Sequence, residues 1–295
     1  MPSGILLLDK PPGLTSNGAL QRVRKAYGAQ SAGHVGTLDP MATGMLPICL
    51  DEATKVIAEI ESGAKAYEFT LALGSRTDTG DADGEVVETL PVPSPDAAAL
   101  EAVLATFRGL QSQVPPMYSA LKRGGRPLYE LARQGIEVER EARRIEIRSL
   151  ELRGRVGDAL ELACECAKGT YIRVLGEDIA RALGTRGHLT RLRRTWVEPF
   201  RDQPMVPFES VQPGAGIPTL LPPDRALGQL AAASLTESQV ITLRRGQAVL
   251  PTAPVDAPVG RRVRAYGPGG VFLGLAEVLP DGRLRPRRLM LPDAH

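Results

Sequence analysis

Cysteine is scarce in this sequence, and long apolar runs are missing from it. Only three of the 295 residues are cysteines, and because three thiols cannot all pair, the disulfide framework of a small secreted protein is not expected. No stretch approaches the roughly 18 consecutive apolar residues of a membrane-spanning helix. The first 14 residues also lack the basic and then apolar layout of a signal peptide. The sequence therefore predicts a cytoplasmic protein that has no membrane partner.

The common signatures of nucleotide, metal and redox chemistry are also missing. The sequence contains no Walker A loop, no G-x-G-x-x-G after a strand, no H-E-x-x-H and no C-x-x-C. Cys164 and Cys166 share a strand face with Leu160 and Leu162, and a tetrahedral zinc site needs four ligands. The two cysteines are therefore predicted to pack in a core. We expect neither a metal centre nor redox chemistry.

The net charge is small for a protein that would bind a polyanion. The chain carries 36 basic and 34 acidic residues, a formal charge of +2. These charges are segregated, however. Residues 77–101 hold seven acids and no base, residues 168–201 hold eight bases and three acids, and residues 244–288 hold nine arginines and three acids. Such segregation predicts faces of opposite sign, of which the basic ones could contact phosphate, although a solvated surface explains the pattern equally well.

Hydrophobic periodicity predicts strands and helices that are interspersed without a regular βαβ rhythm, which favours an α+β fold. Strands are expected at 5–8, 65–73, 145–152 and 160–166. The first helix is expected to be capped by Ser16 or Asn17 and to stop at Gly28. A second helix is expected to open at Ser94-Pro95 and close at Gly109, and a third to run over 171–183. Residues 31–44 are predicted to form a glycine-rich loop.

The composition changes near residue 202 and predicts two domains. Residues 202–223 contain six prolines and two glycines and are predicted to form an irregular connection. The segment that follows has short strand-like runs at 248–250, 263–266 and 271–279. We therefore expect a larger domain over 1–228 and a small β-rich domain over 229–295.

Several segments carry motifs in a fixed order. Residues 36–44 read GTLDPMATG, with Asp39 before Pro40. An Asp in such a loop is usually only a turn residue, but five other segments accompany it. These are GILLLDKPPGLTS at 4–16, YSALK at 118–122, LYELAR at 128–133, GTYIR at 169–173 and LRR at 192–194. Together they resemble the bacterial TruB-type tRNA pseudouridine synthases, and the tail from about residue 235 is more weakly similar to that family's PUA domain. Asp51 is a departure, since members of the family often carry glycine there.

The resemblance implies a reaction, a partner and a fold. The reaction is isomerisation of uridine to pseudouridine at conventional position 55 in the T loop of tRNA, by way of base flipping. It needs no cofactor, because neither electrons nor energy enter. The fold implied is the α+β pseudouridine-synthase fold, with a largely antiparallel mixed sheet, a central catalytic cleft and a small C-terminal PUA-like β-barrel. The partner is the T stem-loop of tRNA, and we expect a monomer without an obligate protein partner.

The same resemblance assigns roles to nine residues. Asp39 is the catalytic carboxylate, which attacks C1′, adds to C6 or removes the C2′ proton; all three routes need it ionised. Arg173 pairs with Asp39 and favours its charged form, unless it is a surface or phosphate-binding arginine. The remaining expectations are Tyr67 stacked on the base, Tyr171 and Leu192 as pocket walls, His34 in the T loop, and Lys10, Lys55 and Lys65 as further RNA contacts. Core packing is the alternative for Tyr67, Tyr171 and Leu192.

Three other functions stay open at this point. The first is a guide-RNA-dependent pseudouridine synthase, whose branch shares the catalytic loop. The second is a non-catalytic tRNA-binding or tRNA-folding protein of the same fold. The third is an enzyme that acts on a different uridine. We expect the basic segments to lie on the side of the cleft and the acidic segment to lie away from the tRNA backbone or at its edge. Residues 78–88 in the middle of the RNA face would contradict this.

Overall fold

The computed structural model describes residues 3–212 and 218–291. Strands and helices alternate irregularly along these residues, as the α+β prediction requires. The strands are β1 Gly4–Lys10, β2 Ala32–His34, β3 Thr43–Leu50, β4 Lys65–Leu73, β5 Ser75–Thr77, β6 Val86–Thr89, β7 Gly109–Gln113, β8 Lys122–Arg123, β9 Arg126–Pro127, β10 Arg143–Val156, β11 Ala159–Cys166, β12 Gly187–Val197, β13 Val206–Pro207, β14 Ala232–Ser234, β15 Arg262–Tyr266, β16 Phe272–Val278 and β17 Leu284–Leu289. The helices are α1 Ser16–Tyr27, α2 Ile57–Glu61, α3 Ala97–Thr106, α4 Leu128–Ala132, α5 Ile172–Ala182 and α6 Glu237–Arg244.

A mixed sheet of nine strands forms the centre of the larger domain. Its order is β13-β1-β3-β12-β4-β11-β10-β7, with β2 also paired to β3. Only the pairs β1/β13 and β3/β12 are parallel, so the expectation of a largely antiparallel mixed sheet is confirmed. Strand β4 lies between β12 and β11, and its residues therefore lie in the middle of the sheet.

Both faces of the sheet are buried near strand β1. Leu6 and Leu8 face one core, where they pack with residues of α1, α3 and α5. Ile5 and Leu7 alternate with them and face a second core. Cys164 and Cys166 are buried in the first core as free thiols, which agrees with their predicted packing role.

Two helix starts differ from the sequence prediction. Thr15 rather than Ser16 or Asn17 caps α1, because its side chain accepts a hydrogen bond from the Gly18 amide at 3.0 Å. Asp96 rather than Ser94 caps α3 and accepts from the Ala99 amide at 2.7 Å. The observed caps and the predicted ones are all residue types that are common at the N-cap. Each error therefore chose a suitable residue one or two positions away from the actual cap. Helix α3 also ends earlier than predicted, at Thr106 instead of Gly109.

The predicted loop at 31–44 is partly a strand. Residues 32–34 form β2, antiparallel to 48–50 of β3, and β3 itself begins at Thr43. The irregular part is therefore the shorter segment between His34 and Thr43, which holds Asp39. Because a strand leads into this segment and another leads out, both of its ends are fixed by the sheet.

Asp51 adopts the left-handed backbone conformation, with φ at 47°. Glycine reaches this conformation without strain, which gives a physical reason for glycine at the equivalent place in similar proteins. Here the Asp51 carboxylate accepts hydrogen bonds from the amides of Gln30 at 2.9 Å and Ser31 at 2.8 Å. These contacts offset part of the strain.

The C-terminal residues form a separate four-stranded sheet in the order β14-β15-β16-β17. The predicted strand at 248–250 is wrong: the structure has only an isolated bridge there, between Val249 and Leu284. Closure of this sheet into a barrel stays a prediction, as do the domain boundaries at 228 and 229. Residues 213–217 of the predicted connection lie outside the described residues.

The C-terminal sheet shares a core with the larger domain. Leu275 and Met290 pack in the same buried cluster as Val35 and Met45, which flank the Asp39 segment. Polar contacts add to this packing: Tyr266 donates from its hydroxyl to Asp224 at 2.9 Å. None of the helices in the described residues is long and apolar enough to cross a membrane.

Candidate active site

The segment that carries Asp39 is held by its neighbours on both sides. Ser16 is buried, and its hydroxyl donates to the Leu38 carbonyl at 2.9 Å and accepts from the Leu38 amide at 2.8 Å. Beyond Asp39, the Lys10 ammonium donates to the carbonyls of Pro40 at 3.2 Å and Ala42 at 2.7 Å. The backbone on either side of the carboxylate is thus fixed by long-range hydrogen bonds.

A buried arginine holds the start of the same segment. Arg194 is 1% exposed, and its guanidinium donates to the carbonyls of Val35 at 3.2 Å, Gly36 at 2.9 Å and Met45 at 2.7 Å. Gly44 packs directly on the backbone of Arg194: it has φ at 98°, and a Cβ there would lie 2.1 Å from the Arg194 carbonyl oxygen. Only glycine fits such a position.

Arg173 and Asp39 form a bidentate pair, as predicted. The Arg173 Nε donates to Asp39 Oδ2 at 2.9 Å, and its Nη2 donates to Oδ1 at 3.1 Å. The Arg173 side chain is 5% exposed and that of Asp39 is 32% exposed. The guanidinium also donates to the carbonyls of Thr79 at 2.6 Å and Tyr118 at 2.7 Å. Arg173 is therefore a buried group that orients Asp39, and the reading as a surface arginine is excluded.

A second carboxylate, which the sequence reasoning missed, lies beside this pair. Asp81 has a buried side chain, and its Oδ2 lies 3.6 Å from the Arg173 Nε. The Thr79 hydroxyl donates to Asp81 Oδ1 at 2.6 Å. Residues 79–81 belong to the acidic segment, so part of that segment lies beside Asp39 and Arg173. The position of the segment relative to the tRNA backbone stays a prediction. Charge alone could not single out Asp81, because residues 77–101 contain seven acids.

Several effects on the pKa of Asp39 oppose one another. Burial raises the pKa of this carboxyl above its ordinary value, and the charge of Asp81 adds to the increase. The charges of Arg173 and Lys10 and the hydrogen bonds from Arg173 lower it. Arg173 is thus the main group that favours the ionised form of Asp39. Its effect on the pKa is opposed by burial, and the sequence did not predict that opposing effect.

A cavity of about 340 Å³ opens in front of Asp39, a volume in the range of small-molecule sites. Tyr67, Tyr171 and Leu192 all line it. Tyr67 and Leu192 are also 8% and 5% exposed members of the larger core. For Tyr67 and Leu192 the two alternatives are therefore compatible, since each belongs to the core and also lines the cavity. Tyr171 lines the cavity but is only half-buried.

The backbone of Tyr171 is fixed by Gln113. The Tyr171 amide donates to the Gln113 side-chain oxygen at 2.8 Å, and its carbonyl accepts from the side-chain nitrogen at 3.1 Å. Gln113 is the last residue of β7, at the edge of the large sheet. This contact places Tyr171 just before α5, which carries Arg173 in its first turn.

The four basic residues that were predicted as further RNA contacts lie in different places. Lys65 lines the cavity. Lys10 is fully buried behind the Asp39 segment, and burial lowers its pKa to about 8. His34 lies in β2 outside the cavity lining, and burial lowers its pKa. Lys55 is not at the cavity; its ammonium donates to the Leu289 carbonyl of the C-terminal domain at 2.8 Å.

The site therefore combines the Asp39 carboxylate, the buried Arg173 cation that orients it, a second carboxylate, Asp81, beside that cation, and an aromatic wall. The Asp39 carboxylate is partly exposed toward the cavity, so it can act as a base or a nucleophile on a molecule bound there. The flat faces of Tyr67 and Tyr171 suit a planar heterocycle. Arg194 and Ser16 belong to the motifs at 192–194 and 4–16, but the sequence assigned neither a role in the site, because their contacts join residues 22 to 159 positions apart.

Three family models match the chain. They are described as TruB family pseudouridylate synthase, N-terminal domain, over residues 24–172; tRNA pseudouridylate synthase B, C-terminal domain, over 173–216; and pseudouridine synthase II TruB, C-terminal, over 231–290. The tRNA pseudouridine synthase B of Aromatoleum aromaticum is 49% identical over 97% of this chain and 92% of its own length. That of Chromohalobacter salexigens is 48% identical over 97% and 94%, respectively.

Solved structures also resemble the fold. A chain of a Cbf5-Nop10-Gar1 complex matches with a TM-score of 0.74 and 23% identity, over 99% of this chain and 86% of that one. A chain of the archaeal box H/ACA sRNP Nop10-Cbf5 complex matches with a TM-score of 0.71 and 21% identity, over 99% and 87%. At 21–23% identity, these structural similarities establish the fold alone, which is the pseudouridine-synthase fold.

Proposed function

Since the chain belongs to the TruB family of pseudouridylate synthases, we propose that it isomerises uridine 55 in the T loop of tRNA to pseudouridine. Relatives that are nearly half identical over almost the whole chain carry the name tRNA pseudouridine synthase B, which supports tRNA as the substrate. The observation that carries the chemistry is the bidentate pair of Arg173 and Asp39 at the wall of a cavity lined by Tyr67.

In this reaction the C1′–N1 bond breaks, the base rotates, and C1′ bonds to C5. Asp39 is the group that acts on the nucleoside, by attack at C1′, by addition to C6 or by removal of the C2′ proton. All three routes start from the carboxylate form. Arg173 favours that form and fixes the direction of both oxygens. No electrons are gained or lost, so the reaction is complete without a redox cofactor.

The uridine must leave the T loop to reach Asp39. Unstacking a nucleotide costs a few kcal/mol, and stacking of its base on Tyr67 returns about 1–3 kcal/mol. Tyr171 and Leu192 enclose the same base from the other walls of the cavity. His34 occupies the space that the flipped base leaves, as a neutral imidazole, since burial lowers its pKa.

The chain works as a monomer in the cytoplasm, without a guide RNA or an obligate protein partner. The exposed arginines of the C-terminal domain extend the contact with the tRNA backbone. Full activity of the purified chain on a T stem-loop transcript, with no other RNA present, is the expected result. Activity that appears only with a guide RNA would contradict this part of the proposal.

The catalytic assignment is tested by Asp39→Asn. This change keeps the size of the side chain and removes its charge, so we expect turnover to fall by at least about 10²–10⁴-fold, while the affinity for the T stem-loop stays within a few-fold. Pseudouridine formation is measured by the release of tritium from RNA that carries uridine labelled at C5, and affinity by filter binding. Asp9→Asn is the matched control, because Asp9 pairs with Arg193 outside the cavity lining. An active Asp39→Asn enzyme would refute the assignment.

A further inference from the structure

Lys65 is a buried cation without an acidic partner. Its ammonium group donates to two backbone carbonyls, those of Glu61 at 3.2 Å and Gly63 at 3.0 Å. Lys65 is 7% exposed, and no carboxylate of the described residues lies within ion-pair distance of it. An ammonium group has three donors, so one N–H is left over. A buried charge that is not paired is costly to keep.

The groups around Lys65 do not remove its charge. Arg194 lies on the neighbouring strand, and a Cβ at Gly36 would lie 2.9 Å from an Arg194 nitrogen and 3.2 Å from the Lys65 Cε. Burial lowers the pKa of Lys65 to about 8, and the charges of Arg194 and Lys168 act in the same direction. Cys166 and Glu61 oppose them. Lys65 is thus mostly protonated at pH 7, in a wall of the cavity that also holds Arg194 and Glu61.

The strand places Lys65 beside the aromatic platform. Lys65 and Tyr67 are two positions apart on β4, so both side chains point to the same face of the sheet. Both line the cavity in front of Asp39. A planar base stacked on Tyr67 therefore lies next to Lys65, in the same cavity as the Asp39 carboxylate.

The chemistry of uridine isomerisation creates the charge that this cation fits. When C1′–N1 breaks, the bonding electron pair stays on the uracil ring, and the ring becomes an anion. Asp39 takes up the electron deficiency at C1′, either by bonding to it or by accepting the C2′ proton. If Asp39 adds to C6 instead, the ring becomes an enolate. Later C5 bonds to C1′ and loses its proton, and N1 gains one, so the sum is an isomerisation.

We propose that Lys65 is a catalytic residue that stabilises the negative charge on the detached or adducted uracil ring, through the N–H that no protein group uses. This inference rests on the proposed function. Lys65 keeps its proton throughout and acts by charge and hydrogen bonding alone. Because every route passes through an anionic ring, the role of Lys65 does not depend on which route Asp39 follows. Such preorganised donors act mainly on the transition state.

The test removes the charge and keeps an unbranched side chain that is only one atom shorter. In Lys65→Met we expect the single-turnover rate constant for pseudouridine formation to fall about 10²–10³-fold, the range for loss of one preorganised donor. The Kd for a T stem-loop is expected to stay within about three-fold. Lys65→Arg, which keeps a positive charge, is expected to recover part of the lost rate.

Thermal unfolding separates this role from a structural one. Lys65→Met removes a buried charge, which is stabilising, and two hydrogen bonds to backbone carbonyls, which is destabilising, so its Tm is expected to stay close to that of the wild type. A lower Tm together with lost activity would show that Lys65 mainly holds the fold, and would overturn the proposal. Lys25→Met, on the exposed face of α1, is the matched control and should keep the wild-type rate constant.

Two further outcomes would also overturn it. If the rate constant of Lys65→Met is unchanged and only Kd rises, with a shallower dependence on salt, Lys65 contacts a phosphate of the RNA instead. If neither value changes, Lys65 has no role in the reaction. Failure of the proposed function is a different result, because then the wild-type chain itself forms no pseudouridine in the T stem-loop.

Discussion

The two arginine-rich stretches of the chain, 168–201 and 244–288, carry nearly the same charge and use it differently. In the first, Arg173 and Arg194 are buried and donate to Asp39 and to the backbone that carries it. In the second, eight of the nine arginines are exposed and Arg264 is half-buried. Charge density along the sequence therefore does not tell which arginines build a site.

Burial explains the difference. A guanidinium removed from water must direct its donors to fixed acceptors, and so it fixes the groups that accept. An exposed guanidinium is solvated, and a surface pair contributes little to stability. Arg283, for example, pairs with Asp281 while half of its side chain stays exposed. The buried arginines of the first stretch thus hold Asp39 and its backbone in place, whereas the arginines of the second stretch stay near the surface, where several pair with nearby acids.

The largest effect is expected from Arg173→Lys, which keeps the charge and removes the fork that binds both Asp39 oxygens. We expect the rate to fall by about 10²-fold or more. Arg173 lowers the pKa of Asp39 against burial, so a weaker pair lets that pKa rise. The reaction needs the ionised carboxylate, which is present above the pKa and lost as pH falls through it. The acid limb of the pH–rate profile should therefore move to higher pH.

Arg285→Lys in the other stretch is the control for this change. Its side chain is about half exposed, and we expect the rate and the acid limb to stay as in the wild type. If Arg173→Lys lowers the rate without moving the acid limb, Arg173 orients Asp39 but does not set its ionisation.

The sequence identified the pair of Asp39 and Arg173, but not the residues whose hydrogen bonds hold this pair in place. Motifs report residues that lie close in the chain or match a known pattern, and the catalytic loop, Tyr67 and α5 were found in that way. Asp81 and Ser16 depend on contacts between distant segments, which no local periodicity encodes. The misplaced caps of α1 and α3 have another origin, since Ser, Thr, Asn and Asp are all acceptable at an N-cap and tertiary packing selects among them.

The C-terminal domain has one core that it shares with the larger domain and another of its own, and the two cores can be compared by mutation. Leu275 is fully buried in the core that also contains Val35 and Met45, next to the Asp39 segment. In Leu275→Ala we expect a loss of about 2–5 kcal/mol in the free energy of unfolding. Because this core spans both domains, we expect urea unfolding to remain a single transition, measured by circular dichroism and tryptophan fluorescence together.

Leu284→Ala is the matched variant, since Leu284 is equally buried but packs within the C-terminal domain alone. It should cost a similar amount and also leave one transition, because loss of that domain exposes the shared core. Two separate transitions, with only the C-terminal one shifted by Leu275→Ala, would mean that the domains unfold independently and that the shared core contributes little.

The smallest effect is expected from Glu277→Gln, which tests whether the exposed arginines meet RNA at all. The Glu277 carboxylate pairs with Arg285 at 2.7 Å and Arg287 at 2.5 Å, and these arginines lower its pKa, so it is charged at neutral pH. Its removal frees two guanidinium groups for phosphate. We expect little change in Tm, slightly tighter binding of full-length tRNA, and a slope of log Kd against log salt that steepens by up to about one. A T stem-loop alone, which is shorter than the whole tRNA, should show less of this change. An unchanged slope with full-length tRNA would mean that this face of the C-terminal domain lies away from the RNA, and that its arginines serve only to pair with the acids beside them.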